Sequence, residues 1–471
     1  MKKIIPNDPT LRYNFFRKKR EKNHSGRADQ KHSLIESVTK SCLYLLLCTI
    51  TLNLFCTTQQ PSFNVSVAPK EHAKLNLLIG LIGEQSSELR EIIAIIKKDL
   101  EFSRQFNVTT CHVDSVQTKK EIESIFKQGY SLAIFFNQSE EKNNDTIEWR
   151  VYDTTQVMML KGSKYTKRGT VLRGWAHNIS DALWSVLAGQ DGFFSTKIAY
   201  CKDIHRPRKR KIKYVYVADY DGSNEQELIS MPTVNVAPRW NNDSKSPMVF
   251  YSEYTNSNVR LIATTMNKKR KIASNFDGVN MLPAFSQDGK QVAYCASHGD
   301  GNCQLYYYEK GNFRKLTHNQ GNNVSPSFSA DGTRLFFCSD FQTGKPQIYC
   351  YNIAADTIDR LTKDGYCASP NYCVAQNKVA YSKIVNGVMQ IFNYDVATEQ
   401  HRQLTFDAGN KEECSWSPCG NFLLFSYEQG MHSRIAMLNV ITNKRQYITG
   451  PNQVCSYPCW SPAYHDFPVV T

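Results

Sequence analysis

The sequence predicts a multidomain protein: a small N-terminal α/β domain followed by an all-β, six-bladed β-propeller. Three observations carry this. First, one phrase returns at a fixed interval: Met281-Leu-Pro-Ala-Phe-Ser-Gln-Asp-Gly289, Val324-Ser-Pro-Ser-Phe-Ser-Ala-Asp-Gly332 and weaker copies, with the aromatics Trp240, Phe285, Phe328, Tyr372, Trp416 and Trp460 spaced 45, 43, 44, 44 and 44 residues apart. A constant period of this size marks a repeat architecture. Second, each period holds four short runs rich in Val, Ile, Tyr and Phe with little helical spacing, the content of a propeller blade. Third, the chain upstream alternates apolar strand-like runs with amphipathic helical ones, which reads as α/β.

Taken in order, residues 1–58 read as a basic leader and signal peptide. Residues 1–60 hold eleven Lys and Arg against four Asp and Glu, so half of the net charge of +14 lies there and gives no argument for nucleic acid. The apolar run 43–56 suits a signal-peptide core; a membrane span needs about 20 residues. Residues 59–74, polar with Pro61 and Pro69, read as a flexible arm. The α/β domain is expected over 75–190. Leu75–Ile82 is a buried strand, and Ser86–Ser103 is a helix with Leu89, Ile92, Ile93, Ile96 and Leu100 on one face. Asn107–Asp114 is a strand, Thr118-Lys-Lys-Glu121 a capping box opening a second helix, and Ser131–Phe136 and Ile147–Tyr152 are strands. A last helix runs from Leu172 to Ala188. The propeller is expected over 191–471. Trp460 opens a repeat that cannot finish before Thr471, while Lys197–Cys201, Lys213–Ala218 and Glu227–Ile229 match its missing runs. The C-terminal strand should therefore complete the first blade and remove an open edge.

The residues that could carry chemistry mostly read as structure. No Gly-x-Ser-x-Gly elbow occurs, and Gly80-Leu-Ile-Gly83 lacks a third glycine. Ser286-Gln-Asp-Gly289 reads as a hairpin turn. Cys414, Cys419, Cys455 and Cys459 mimic a zinc spacing but fall at repeat positions, and His177 with Asp181 has no third ligand, so no metal is expected. No catalytic group and no cofactor are expected. Fifteen cysteines leave twelve once the leader is set aside. Disulfides Cys295–Cys303 and Cys367–Cys373 are one reading, small buried thiols the other. The cluster Arg206, Arg208, Lys209, Arg210, Lys211 and Lys213 reads as a solvated hairpin loop whose charge could also meet anionic outer-membrane components.

Leader, α/β domain and repeats with the phrase Pro-x-aromatic-Ser-x-Asp-Gly together resemble the TolB family of the Tol-Pal envelope system, whose propeller repeats are WD40-like. The most specific stretch joins the domains, Leu172-Arg-Gly-Trp-Ala-His-Asn-Ile-Ser-Asp181 with Leu187-Ala-Gly-Gln-Asp-Gly-Phe-Phe-Ser-Thr-Lys-Ile-Ala-Tyr200. Ala218-Asp-Tyr-Asp-Gly222 and Pro458-Cys-Trp-Ser-Pro462 add to it. The resemblance implies a non-enzymatic periplasmic adaptor that binds the peptidoglycan-associated lipoprotein Pal through the propeller and TolA through the N-terminal arm, serving outer-membrane integrity and constriction at division. It also implies a Pal-facing rim built by the loops that enter each inner strand, here Val279, Asn280 and Leu282, and Asn322, Asn323 and Val324. Val279 stands where the family carries a histidine. On this reading Asn323→Asp or Leu282→Arg should weaken Pal binding and leave the propeller folded. The rival is a lactonase- or peptidase-related propeller enzyme with a central-channel site, which would need carboxylates or histidines converging from several blades.

Overall fold

The computed structural model describes residues 74–464 apart from 116–117, 142–143, 167–170, 205–211, 230 and 299–300. The expected leader, the arm up to residue 73, and Arg206, Arg208, Lys209, Arg210 and Lys211 of the basic cluster lie outside the described residues.

The α/β part runs β1 (Leu75–Ile82), α1 (Ser87–Phe102), β2 (Phe106–Val113), α2 (Lys119–Lys127), β3 (Leu132–Glu141), β4 (Asn144–Asp153), β5 (Met158–Thr166) and α3 (Leu172–Leu187). Its sheet has the order β2-β1-β3-β4-β5, with β1 parallel to both neighbours and the rest antiparallel. Helix α1 starts where Ser86 Oγ accepts the Leu89 amide at 3.1 Å, and the predicted apolar stripe is buried from Leu89 to Leu100. Helix α2 opens on the predicted capping box: Thr118 Oγ1 accepts from Glu121 N at 3.4 Å, and Glu121 Oε2 from Thr118 N at 2.9 Å. The sequence did not mark β5. It is an edge strand with only Ser163 and Tyr165 half-buried, so its residues carry no inside–outside alternation.

Helices α1 and α3 cover one face of this sheet and continue into the β-rich part through a shared core. Trp184, Phe193, Phe194, Tyr220, Phe422 and Trp460 are buried together there. The Phe193 ring lies 4.8 Å from Phe422, and the Phe102 ring 4.8 Å from Tyr220. A fully buried phenylalanine contributes about 2–3 kcal/mol, so a handful of such rings makes the joint a continuous core.

From Lys197 onward the chain folds into antiparallel meanders. Four are separate four-stranded sheets, and an eight-stranded sheet holds two more, joined by one parallel pairing, Lys213↔Val234. The first meander draws on both ends of this region, because Cys455–Trp460 pairs antiparallel with Lys197–Ile204. The inner strands of meanders two to six are Val234–Trp240, Asn280–Phe285, Asn323–Phe328, Cys367–Cys373 and Asn410–Trp416.

The recurring phrase now has a structural cause at each position. Three residues before each aromatic, Ala237, Leu282, Ser325, Ser369, Glu413 and Tyr457 all have φ between 53° and 60°. Each sits where the inner strand slips register against its neighbour. A left-handed residue at such a slip is a β-bulge, which bends the strand and sharpens its twist. The Ser-x-Asp-Gly turn follows: Ser286 Oγ donates to Asp288 Oδ1 at 2.6 Å and accepts the Gln291 amide at 3.0 Å, while Gly289 takes φ +69°. The closing Leu-Thr pairs also recur for a reason. The hydroxyls of Thr317, Thr362, Thr405 and Thr449 accept the amides of Leu305, Ile348, Ile391 and Ile435 at 2.9, 2.9, 2.9 and 3.0 Å, extending the ladder past the last strand.

Candidate functional site: the inner-strand rim and channel lining

The loops singled out from the sequence divide into frame and surface. Asn280 is fully buried, with Nδ2 donating to Val259 O at 2.9 Å and Phe276 O at 2.7 Å and Oδ1 accepting from Ser274 Oγ at 2.7 Å. Asn323 is fully buried too. Its Nδ2 faces Gln304 Oε1 at 3.0 Å, Asn319 Oδ1 at 2.9 Å and Gly321 O at 3.2 Å. Asn322 Oδ1 accepts the Cys303 amide at 3.1 Å. These three amides bind the loops to the neighbouring meander. What remains open is apolar: Val279, Leu282 and Val324 are each half-buried.

The periodicity held a signal for this. Asn280 and Asn323 sit five residues before their aromatics, and the equivalent positions are Asn235, Cys367, Lys411 and Cys455. Asn235 Nδ2 reaches Lys213 O at 3.0 Å; Lys411, fully buried, reaches Ala408 O at 3.0 Å and Asp407 Oδ1 at 3.1 Å. A polar side chain that recurs with the repeat serves the repeat.

A second ring of positions lies one residue before each aromatic: Arg239, Ala284, Ser327, Asn371, Ser415 and Cys459. Ser327 Oγ accepts the Tyr372 amide, Asn371 Oδ1 the Trp416 amide and Ser415 Oγ the Trp460 amide, each at 2.9 Å. Between Cys459 and the next inner strand, the Trp240 indole Nε1 donates to the Cys459 carbonyl at 3.3 Å. Each bond runs from one inner strand to the next, forming a belt. Arg239 and Ala284 have no acceptor to offer it.

The candidate disulfides are corrected. All four of their cysteines are free thiols. Cys367 and Cys373 stand at opposite ends of one extended strand, roughly 20 Å apart at about 3.3 Å per residue, whereas a disulfide needs Cα atoms within about 7 Å. Cys295 and Cys303 are fully buried, and burial pushes the Cys303 thiol up to about 12 and the Cys295 thiol well above its ordinary value. They pack as small apolar residues, the alternative the sequence left open. Lys213 also leaves the basic cluster, for its ammonium meets Asp203 Oδ1 at 2.7 Å and Ser456 Oγ at 3.1 Å. Among the described residues no three His, Cys, Asp or Glu side chains group as a metal site requires.

The family-like junction is an ionic joint. His177 does not pair with Asp181: its Nδ1 lies 2.8 Å from Asp99 Oδ2 and its Nε2 3.8 Å from Asp219 Oδ2. Burial disfavours the imidazolium, but the two carboxylates outweigh it and hold His177 up at about 9. Burial likewise opposes the Asp219 carboxylate, yet His177, Lys197 and Arg173 hold it well below the usual range. Arg173 Nε meets Asp219 at 2.7 Å and its Nη2 meets Asp221 at 2.8 Å. Asp181 instead accepts the Phe194 and Ser195 amides at 2.7 and 3.1 Å. A Cβ on Gly192 would fall 2.3 Å from the Asp181 Cβ, so only glycine fits the connector there.

Residues 184–464 match the protein family described as the TolB beta propeller domain. The Tol-Pal system protein TolB of Francisella tularensis subsp. mediasiatica (strain FSC147) is 31% identical over 163 residues, covering 33% of this chain and 37% of that protein. That of Gluconobacter oxydans (strain 621H) is 27% identical over 212 residues, covering 45% and 46%. The matches thus span less than half the length of these curated relatives. Among solved structures, TolB from Acinetobacter baumannii superposes with a TM-score of 0.72 at 22% identity, covering 84% of this chain and 98% of that one, a likeness of fold.

Proposed function

The chain belongs to the TolB β-propeller family, and from that premise we propose that it is a non-enzymatic periplasmic adaptor of the Tol-Pal system that binds a Pal-type peptidoglycan-associated lipoprotein on its inner-strand rim and links to TolA through residues 59–74. On this reading it serves outer-membrane integrity and constriction at division. The observation that supports it best is the contrast between frame and surface at the rim. Asn280 and Asn323 lock the loops by side-chain bonds, so Val279, Leu282 and Val324 stand as half-open apolar contacts on a preorganised support. A rigid support of this kind loses little entropy on docking. The six belt positions, Arg239, Ala284, Ser327, Asn371, Ser415 and Cys459, hold no carboxylate or imidazole for acid–base work, which speaks against the channel-enzyme reading.

The test is capture from an envelope extract of a Gram-negative cell, followed by titration of the purified Pal-type lipoprotein. Leu282→Arg places a charge on the apolar rim and should weaken binding at least tenfold while the thermal midpoint stays within a few degrees. An unaltered Kd in a folded Leu282→Arg protein would remove the rim from the reading.

A further inference from the structure

The belt of inter-meander bonds breaks at two adjacent steps, and the break gathers hydrogen-bond donors. Ser286 N donates to Gln291 O at 3.0 Å and Ser329 N to Arg334 O at 2.9 Å, which makes Phe285↔Val292 and Phe328↔Leu335 the non-hydrogen-bonded pairs of their ladders. The Phe285 and Phe328 amides therefore turn away from their own meander, as Trp416 N does beside Ser417 N→Phe422 O. Trp416 N finds Asn371 Oδ1 at 2.9 Å. Phe285 N finds the Arg239 position and Phe328 N the Ala284 position, and neither a guanidinium nor a methyl group accepts a proton. No side chain among the described residues accepts from either amide.

Arg239 adds the charge. It is half-buried, and among the described residues its guanidinium has one hydrogen bond, Nη1 to Pro238 O at 2.8 Å, and no carboxylate partner. The one carboxylate among the six bulge residues, Glu413, is committed to Ser426 Oγ and Tyr457 N, both at 2.8 Å. Cys295, Cys414 and Cys459, from three other meanders, all feel the guanidinium charge, and burial keeps all three protonated; Cys414 also feels Glu413. A partly desolvated cation with no ion-pair partner, beside two backbone donors with no protein acceptor, suits an anion, which meets both at once.

We propose that Arg239 and the Phe285 and Phe328 amides, with Ala284 leaving room between them, form an anion-binding site in the channel lining that takes a carboxylate. A planar carboxylate matches the guanidinium fork and leaves oxygen lone pairs for the amides. The site uses other residues of the same inner strands than the Pal rim does, so its failure would leave that reading untouched. The ligand is either a small free carboxylate or the Asp or Glu side chain of a protein inserted into the channel.

The experiment is calorimetric titration of the full chain at fixed ionic strength with acetate, with acetyl-Gly-Asp-Gly-amide and with its Asn counterpart. The acidic probes should bind at least tenfold more tightly than the Asn peptide. Tighter binding of the Asp peptide than of acetate assigns a protein side chain, and the reverse a free anion. Arg239→Ser supplies the missing belt acceptor to Phe285 N, so it should fold with an equal or higher thermal midpoint and lose acid binding at least tenfold. Ala284→Ser, which gives Phe328 N an acceptor and leaves the charge, should lose severalfold. Equal affinity of the wild-type chain and the folded Arg239→Ser protein, or equal binding of the Asp and Asn peptides, overturns the proposal.

Discussion

Asn323 shows how much one side chain depends on what surrounds it. Its amide faces Gln304 Oε1, Asn319 Oδ1 and the Gly321 carbonyl, all acceptors, in a fully buried site. Asn323→Asp would set a carboxylate against them, leaving a buried charge unpaired or forcing its protonation. The expected cost is about 2–4 kcal/mol, read as a lower urea midpoint and a thermal midpoint lowered by several degrees. An unfolding midpoint equal to wild type would show the loop is held otherwise. This reverses the sequence-based expectation that the same substitution would spare the fold. The Asn-Asn pair was legible as important, but its direction was not, because an amide that ties a loop and an amide that greets a partner are the same letters.

At the scale of the element, the His177 joint fastens α1 and α3 to the strand ending in Asp219. Its folded value of about 9 lies above the ordinary 6.5, so the imidazolium is favoured by folding. The stabilisation is therefore fully present below about pH 6.5 and is lost as pH rises through about 9. A shift of this size in so buried a group corresponds to about 3 kcal/mol. The thermal midpoint should fall between pH 6.5 and 9.5, and His177→Gln should lower the midpoint at pH 6.5 and flatten that fall. A His177→Gln protein with the wild-type slope would exclude the joint as its source. Here the sequence supplied both His177 and Asp181 on one helix. It could not show that Asp181 turns to the Phe194 and Ser195 amides, nor that the partners of His177 come from α1 and from the first meander. Helix α1 and the α2 capping box were legible because their signals are local. Strand β5 was not, since an edge strand lacks the buried face that creates a pattern.

At the scale of the molecule, the C-terminal strand Cys455–Trp460 joins the two ends of the β-rich part. It pairs with Lys197–Ile204, Trp460 Nε1 reaches Thr196 Oγ1 at 2.7 Å, and the Tyr464 hydroxyl donates to Asn241 O. A chain ending at residue 454 would expose an unpaired strand edge and uncover much of the core around Phe193, Phe422 and Ile198. We expect it to lose its near-ultraviolet circular dichroism signal and to elute as aggregate. A monomeric, cooperatively folding truncation would show that the last strand only trims the first meander. By itself, the sequence determined the repeat, its 44-residue phase, the strand-rich content of each period and the α/β character upstream. Those follow from apolar spacing and turn chemistry within a few residues of each other. The tertiary structure decided which polar residues face inward, that the paired cysteines are separate thiols, and that the belt opens at Arg239. Those outcomes depend on side chains brought together from different meanders, and burial, which fixes their energy, is a property of the assembled core.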